Sequence, residues 1–157
     1  MVLVLYKTNN LVIQNKDYRR SKIMCIFCRI ADKEVPSYTI YEDELFTAFL
    51  DISQATIGHT LVIPKKHYDN ILKLDSEVAS KILPLVSNLT KALSKALKTN
   101  DFNIINNCGG NAGQTVDHFH IHIIPRYAED GLKIAFPSNK LTPEKLEEIK
   151  QKLVEKL

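Results

Sequence analysis

Cysteine is scarce in this chain, with three in 157 residues, and the count is odd. Cys25 and Cys28 are separated by only two residues, which is not the disulfide framework of a small secreted domain, so a reducing cytoplasm is the expected compartment. Long apolar runs are missing too. Val2-Leu3-Val4-Leu5-Tyr6 is too short for the apolar stretch of a secretory signal and far too short to cross a bilayer, which argues against a membrane role. Neither sign of charge dominates: the net charge of +3 is evenly mixed along the chain, too little to make nucleic-acid binding its main business. No Gly-x-x-x-x-Gly-Lys run is present, which excludes P-loop phosphate chemistry, and there is no internal repeat or low-complexity tract. What is left, 45% apolar and 25% charged residues, fits one globular domain with a single moderate core.

Histidine is sparse as well, and its placement is informative. Three of the five histidines fall in His118-Phe119-His120-Ile121-His122, ahead of Ile123-Ile124-Pro125-Arg126. A strand sends alternate side chains to opposite faces of a sheet, so the three imidazoles are expected on one face, with Phe119, Ile121 and Ile123 on the other, in the core. The remaining two, His59 and His67, bracket a second strand-like run, Thr60-Leu61-Val62-Ile63.

Residues 1–23 hold Asn9-Asn10 and a basic cluster of Lys16, Arg19, Arg20 and Lys22; they read as an extension outside the domain, with Met24 as the natural start. Residues 24–31 form a knuckle offering two thiols from one turn. Residues 38–41 and 45–50 read as a hairpin around Glu42-Asp43-Glu44, the second strand running into Asp51. The strand after Gly58 is closed by Pro64, which cannot donate to a ladder. Asp75 or Ser76 caps a long helix to about Lys98, with Val78, Ile82, Leu85, Val86, Leu89, Leu93 and Leu97 as its apolar stripe; Pro84 inside it predicts a kink or a later start. Residues 102–105 form a fourth strand. A glycine- and amide-rich loop, residues 106–115, then leads into the triple-histidine strand and can bring backbone N–H groups close to an anion. Finally, Thr142 caps a helix with Pro143 in its first turn and Leu146, Ile149, Leu153 and Leu157 on one side. These elements predict an α+β domain, an antiparallel sheet of about five strands with one long central helix and a C-terminal helix. The domain is expected over 24–128, with the loop and helix of 129–157 packing on it. So small a sheet favours a homodimer that covers its edge.

A neutral imidazole is a competent nucleophile near pH 7, and a neighbouring hydrogen bond fixes which of its nitrogens is free. The loop could supply amide and hydroxyl donors to a transferring phosphoryl group, with further histidines as protonatable donors. The run from Gly113 to Arg126 closely resembles the signature of the histidine triad nucleotide-binding family, His-φ-His-φ-His-φ-φ with φ apolar. The segments Phe49-Leu50-Asp51-Ile52-Ser53 and residues 58–67 resemble that family's upstream blocks, so the resemblance covers about residues 24–127.

The resemblance implies a homodimeric HIT-like fold that hydrolyses or transfers nucleoside monophosphates through a covalent nucleotidyl-histidine. His120 would be the nucleophile, flanked by His122 and His59. Asn107, Gln114 and Thr115 would donate to phosphate oxygens or to the leaving group, Asp51 would hold the ribose hydroxyls, and Ile52 would lie beside the base. AMP-like phosphoramidates or adenylates are the leading substrates. Dinucleoside polyphosphate hydrolysis and a non-catalytic nucleotide-binding zinc module are the alternatives. Cys25 and Cys28 read as a redox pair, as two buried thiols, or as half of a zinc site. Some members of the family carry zinc on two cysteines and two histidines that include the first histidine of the triad, which makes His67 and His118 the matching ligands and leaves His120 for chemistry. Asp117 departs from the aromatic or basic residue often found before the triad. Lys65 and Lys66 read as solvated, and Cys108 as a packing residue.

Overall fold

The structure, a computed structural model, describes residues 25–157; the expectations for residues 1–23 and for Met24 lie outside the described residues. Its elements in chain order are α1 (Ile26–Ala31), β1 (Thr39–Glu42), β2 (Phe46–Leu50), β3 (Thr60–Pro64), α2 (Ser76–Leu97), β4 (Phe102–Ile105), β5 (Ile121–Pro125) and α3 (Pro143–Val154). Two single-turn 3-10 helices, Ile71–Lys73 and Gly110–Ala112, punctuate the connections. The five strands form one antiparallel sheet in the order β1-β2-β3-β5-β4, which is the α+β HIT-like fold expected.

Local chemistry explains the elements. The polar turn between β1 and β2 is held by Asp43, whose Oδ1 accepts from the backbone N–H of Leu45 at 2.8 Å and of Phe46 at 2.7 Å. Asp75 caps α2 by accepting from Val78 N at 3.0 Å. Val78, Ile82, Val86 and Leu89 recur at helical spacing and are buried against Phe46, Ala48, Val62, Ile121 and Ile123 on one face of the sheet. On the opposite face Phe49, Leu61 and Ile63 pack against Phe27 and Ala31 of α1. Every residue of β3 is buried, as a central strand covered on both faces requires.

Two sequence expectations are corrected. Pro84 does not delay the start of α2, which runs unbroken from Ser76 to Leu97 with Pro84 on its exposed side. The triple-histidine strand starts only at Ile121, because Val116–His118 form a bend and the N–H of Phe119 donates to the Tyr68 carbonyl at 2.6 Å instead of joining a ladder. Pro64 closes β3 as expected, paired with Phe46 as its last residue. The C-terminal helix is capped as expected, Thr142 Oγ1 accepting from Lys145 N at 3.3 Å, yet none of its residues is buried.

Candidate active site

The sheet brings together histidines that lie far apart in sequence. β3 and β5 are central neighbours with Leu61 opposite His122, so His59, just before β3, meets His122 across the strand pair. Gly58 makes this entry possible. Its φ is +88°, which favours glycine, and a Cβ there would push aside the end of the Leu97 side chain, whose Cδ1 would lie 2.4 Å away. Although His118 and His120 precede the ladder, the alternation persists: both rings lie edge-on to Phe27 of α1, at centroid distances of 6.0 and 5.2 Å, and His120 is 4.9 Å from His122.

Hydrogen bonds fix the role of each ring nitrogen. His120 is 4% exposed, and its Nδ1–H donates to the His118 carbonyl at 2.6 Å, which leaves the Nε2 lone pair unprotonated. At His59, Nδ1 accepts from the Ala55 N–H at 3.3 Å; its proton therefore sits on Nε2, which donates to His122 Nδ1 at 2.9 Å. That in turn puts the His122 proton on Nε2. Burial lowers the pKa of all three rings, that of His122 to about 4, with repulsion from His120 and His59 adding to the effect. Asp51, 3.7 Å from His59 Nδ1, pulls the other way without overcoming burial. All three imidazoles are neutral at pH 7.

His120 and His122 open into a cavity of roughly 390 Å³ whose walls are largely apolar, among them Phe27, Ile30, Phe49 and Leu61, with Asp51, Ile52 and Thr115 at its edge. That is a volume for one small-molecule ligand. Among the described residues no lysine or arginine lines it, and Arg126 is held in a two-pronged ion pair with Asp130, so the basic groups it offers an anion are imidazoles.

Of the residues expected to bind substrate, Asp51, Ile52 and Thr115 line this cavity. Asn107 and Gln114 do not. The buried Gln114 amide donates to the carbonyls of Asp69 (2.6 Å) and Val116 (2.9 Å) and accepts from Gly109 N (2.8 Å). It therefore staples the glycine-rich loop and consumes the Gly109 N–H that an anion would otherwise use. Asn107 Nδ2 donates to the Gly113 carbonyl at 3.4 Å within the same loop.

Cys25, Cys28, His67 and His118 converge on the far side of α1, with their ligand atoms all within 4.8 Å of one another. Cys25 Sγ lies 3.4 Å from His118 Nδ1, and Cys28 Sγ lies 3.2 Å from His67 Nδ1 and 3.5 Å from His118 Nδ1. A tetrahedral ion with ordinary Zn–S and Zn–N bonds separates its ligands by about 3.6 Å, so this donor set fits such an ion. Both imidazoles present Nδ1 inward and turn Nε2 to an acceptor: His118 to the Pro64 carbonyl at 2.8 Å, His67 to Asp69 at 3.0 Å. Such outer contacts orient metal-bound imidazoles. The four residues are a candidate metal site.

Gln54 was not singled out by sequence reasoning. Its amide donates to the carbonyls of Asp51 and His59 and accepts from the N–H groups of Gly58 (2.7 Å) and His59 (3.0 Å), closing the loop that carries both Asp51 and His59. A lone amide in a loop gives no signal of this. Asp69, two residues after His67, could have been found as the orienting carboxylate of a histidine ligand.

A central antiparallel sheet presenting buried neutral histidines to an apolar cavity, beside a two-cysteine, two-histidine cluster, defines a nucleotide-sized histidine site of one recognisable class. The HIT domain family model matches residues 32–129. The chain is 41% identical over 136 residues to Protein hit of Bacillus subtilis, spanning 85% of this chain and 94% of that one. It is 39% identical over 134 residues to adenosine 5'-monophosphoramidase hnt1 of Schizosaccharomyces pombe, spanning 85% and 98%. The crystal structure of a HIT family protein from Bacillus anthracis superposes with a TM-score of 0.79 at 45% identity, covering 85% of this chain and 96% of that one. The chain belongs to the HIT family.

Proposed function

We propose that this protein is a nucleotide hydrolase that cleaves AMP-like phosphoramidates or adenylates through a nucleotidyl-His120 intermediate. The observation that carries the reading is the Nδ1–H of His120 locked on the His118 carbonyl, which aims a bare Nε2 lone pair from the wall of the cavity. The name of the fission-yeast relative supports an adenosine monophosphoramidase activity.

In this reading the base enters between α1 and the edge formed by Ile52, and Asp51 receives the ribose hydroxyls. Asp51 Oδ1 is engaged by the Ser53 N–H at 2.7 Å, which orients the carboxylate and leaves Oδ2 for a ligand. His120 Nε2 attacks the α-phosphorus, forming a P–N bond as the bond to the leaving amine breaks, and that amine takes up a proton from solvent which the later attack of water returns. His122, holding its proton on Nε2 because His59 donates to Nδ1, hydrogen-bonds the developing charge. Thr115 stands at the mouth on the leaving-group side. Water then attacks phosphorus, the P–N bond to His120 breaks, and AMP leaves. Asn107 and Gln114 hold the glycine-rich loop in shape beside the cavity.

Cys25, Cys28, His67 and His118 would hold zinc. A closed set of four protein ligands supplies rigidity and no open position for chemistry. A homodimer is favoured by the edge position of β4, with Ile104 exposed beside a groove of Ile71, Leu74 and Leu83, and by the unburied apolar side of α3. The thiol ligands suit a cytoplasmic setting; among the described residues no helix is long and apolar enough to cross a membrane.

The test is incubation with adenosine 5'-phosphoramidate, following AMP release and an acid-labile AMP adduct on the peptide containing His120 by mass. Absence of both sinks the reading. Turnover of diadenosine polyphosphates alone redirects it to that substrate class.

A further inference from the structure

The candidate metal site and the nucleotide cavity occupy two sides of one short helix. Ile26, Phe27 and Ile30 of α1 line the cavity, while Cys25, its N-cap, and Cys28, on its inner side, reach the cluster with His67 and His118. A helix of six residues does not hold itself together in water, so its packing and its tethers keep it in place. His118 is a tether with two ends. Its ring joins the cysteines, and its carbonyl holds the Nδ1–H of His120.

The two thiols differ in access. Cys28 is fully buried, whereas Cys25 is half-buried and lines a solvent-open groove with His67, Asp69 and Asp117. Their sulfurs lie within 4.8 Å of each other. Residues three apart at a helix start bring their β-carbons to about 5–6 Å, a spacing that a disulfide can close with a small rotation.

We propose that Cys25 and Cys28 form a peroxide-oxidisable pair whose conversion to a disulfide expels the metal and releases the α1 wall of the nucleotide cavity. The proposal rests on the reading of the two sites given above. The half-buried Cys25 thiolate, the more accessible of the two, attacks hydrogen peroxide, breaking the O–O bond to give a sulfenic acid and hydroxide. The buried Cys28 thiolate then displaces the second hydroxide from that sulfur. The two sulfurs together lose two electrons, the peroxide gains them, and both hydroxides take protons from solvent to become water. A metal held by these four residues would lose two of its ligands, and two imidazoles alone would not retain it. Phe27 and His118 would keep their core packing and the Pro64 contact but lose the tether that the cluster gives α1.

The experiment uses the full chain carrying Cys108→Ser, which removes the third thiol, loaded with zinc and titrated with hydrogen peroxide. Zinc release is read with a colorimetric chelator, the disulfide by mass, α1 by amide hydrogen exchange of residues 26–31, and the cavity by AMP affinity. The expected result is equal amounts of disulfide and released zinc, with exchange in α1 and the AMP Kd both raised on the order of tenfold, and recovery with a dithiol and added zinc. Zinc retained with both thiols intact overturns the proposal. So does zinc released with α1 exchange or AMP affinity unchanged. Failure of the reduced, loaded protein to bind AMP before any peroxide is a failure of the nucleotide reading instead, and α1 exchange still decides whether the wall is released.

Discussion

His120 Nδ1–H donates to the carbonyl of His118, two residues back, at 2.6 Å. The contact is built by one ring and one peptide group, so no side-chain substitution other than at His120 removes it directly. His120→Ala should lower the rate of phosphoramidate hydrolysis by at least on the order of a thousandfold while AMP binds within about tenfold of the parent. Single-turnover kinetics beside AMP calorimetry separates the two effects; a residual rate within tenfold of the parent contradicts the nucleophile assignment.

His59 Nε2 lies 2.9 Å from His122 Nδ1, and in the proposed reaction it is a positioning residue that acts through His122. His59→Ala should reduce kcat by about 10–100-fold with little change in KM, and should alter the pH profile, because His122 is no longer held in one tautomer. His59→Gln, whose amide can donate to His122 Nδ1, should recover part of the loss. Equal defects in the two variants would argue that His59 matters only for packing.

Asp51→Asn should raise KM for an adenosine substrate on the order of tenfold with kcat largely kept, since a charged acceptor for two ribose hydroxyls is lost. The parent should discriminate against a 2'-deoxyadenosine substrate, and the variant should not. Initial-rate measurements on the two sugars decide it.

Acid should destabilise the fold through the histidines. His59, His120 and His122 have folded pKa values lowered by burial, so the unfolded chain binds protons first as pH falls below the usual histidine value near 6.5. The stability contributed by the neutral rings is complete above that pH and is lost as pH falls toward about 4, the folded value of His122. Discounted for its partial exposure, His122 accounts for about 1–2 kcal/mol of this loss. Urea midpoints at pH 7 and pH 5 should therefore fall in the parent by more than in His122→Asn.

Gly58→Ala should destabilise by about 2 kcal/mol, from its positive φ together with the shift it forces on the Leu97 side chain and its tight contact with Pro125. Gly131→Ala has the same sign of φ, +73°, but open space around it, and should cost about 1 kcal/mol. Similar losses in both would show that strain alone matters at Gly58.

Much of this protein could be read along the chain because its signals are local. Period-two alternation placed His120 and His122 opposite Ile121 and Ile123, and the caps at Asp75 and Thr142 marked both long helices, since a cap bonds groups within a few residues of itself. The hydrogen bonds of Gln114 were not legible in this way: its partners include the Asp69 carbonyl, 45 residues away, which no local pattern reports. The same holds for the loop closed by Gln54, and for the bend that leaves His118 outside the strand. Residue types and periodicity determined that imidazoles and thiols would be available on one side of a sheet. Only the folded chain decided which nitrogen of each ring carries a proton, because that depends on the groups it brings within hydrogen-bonding reach: the His118 carbonyl for His120, the Ala55 N–H for His59, and the pairing of β3 with β5 that sets His59 against His122.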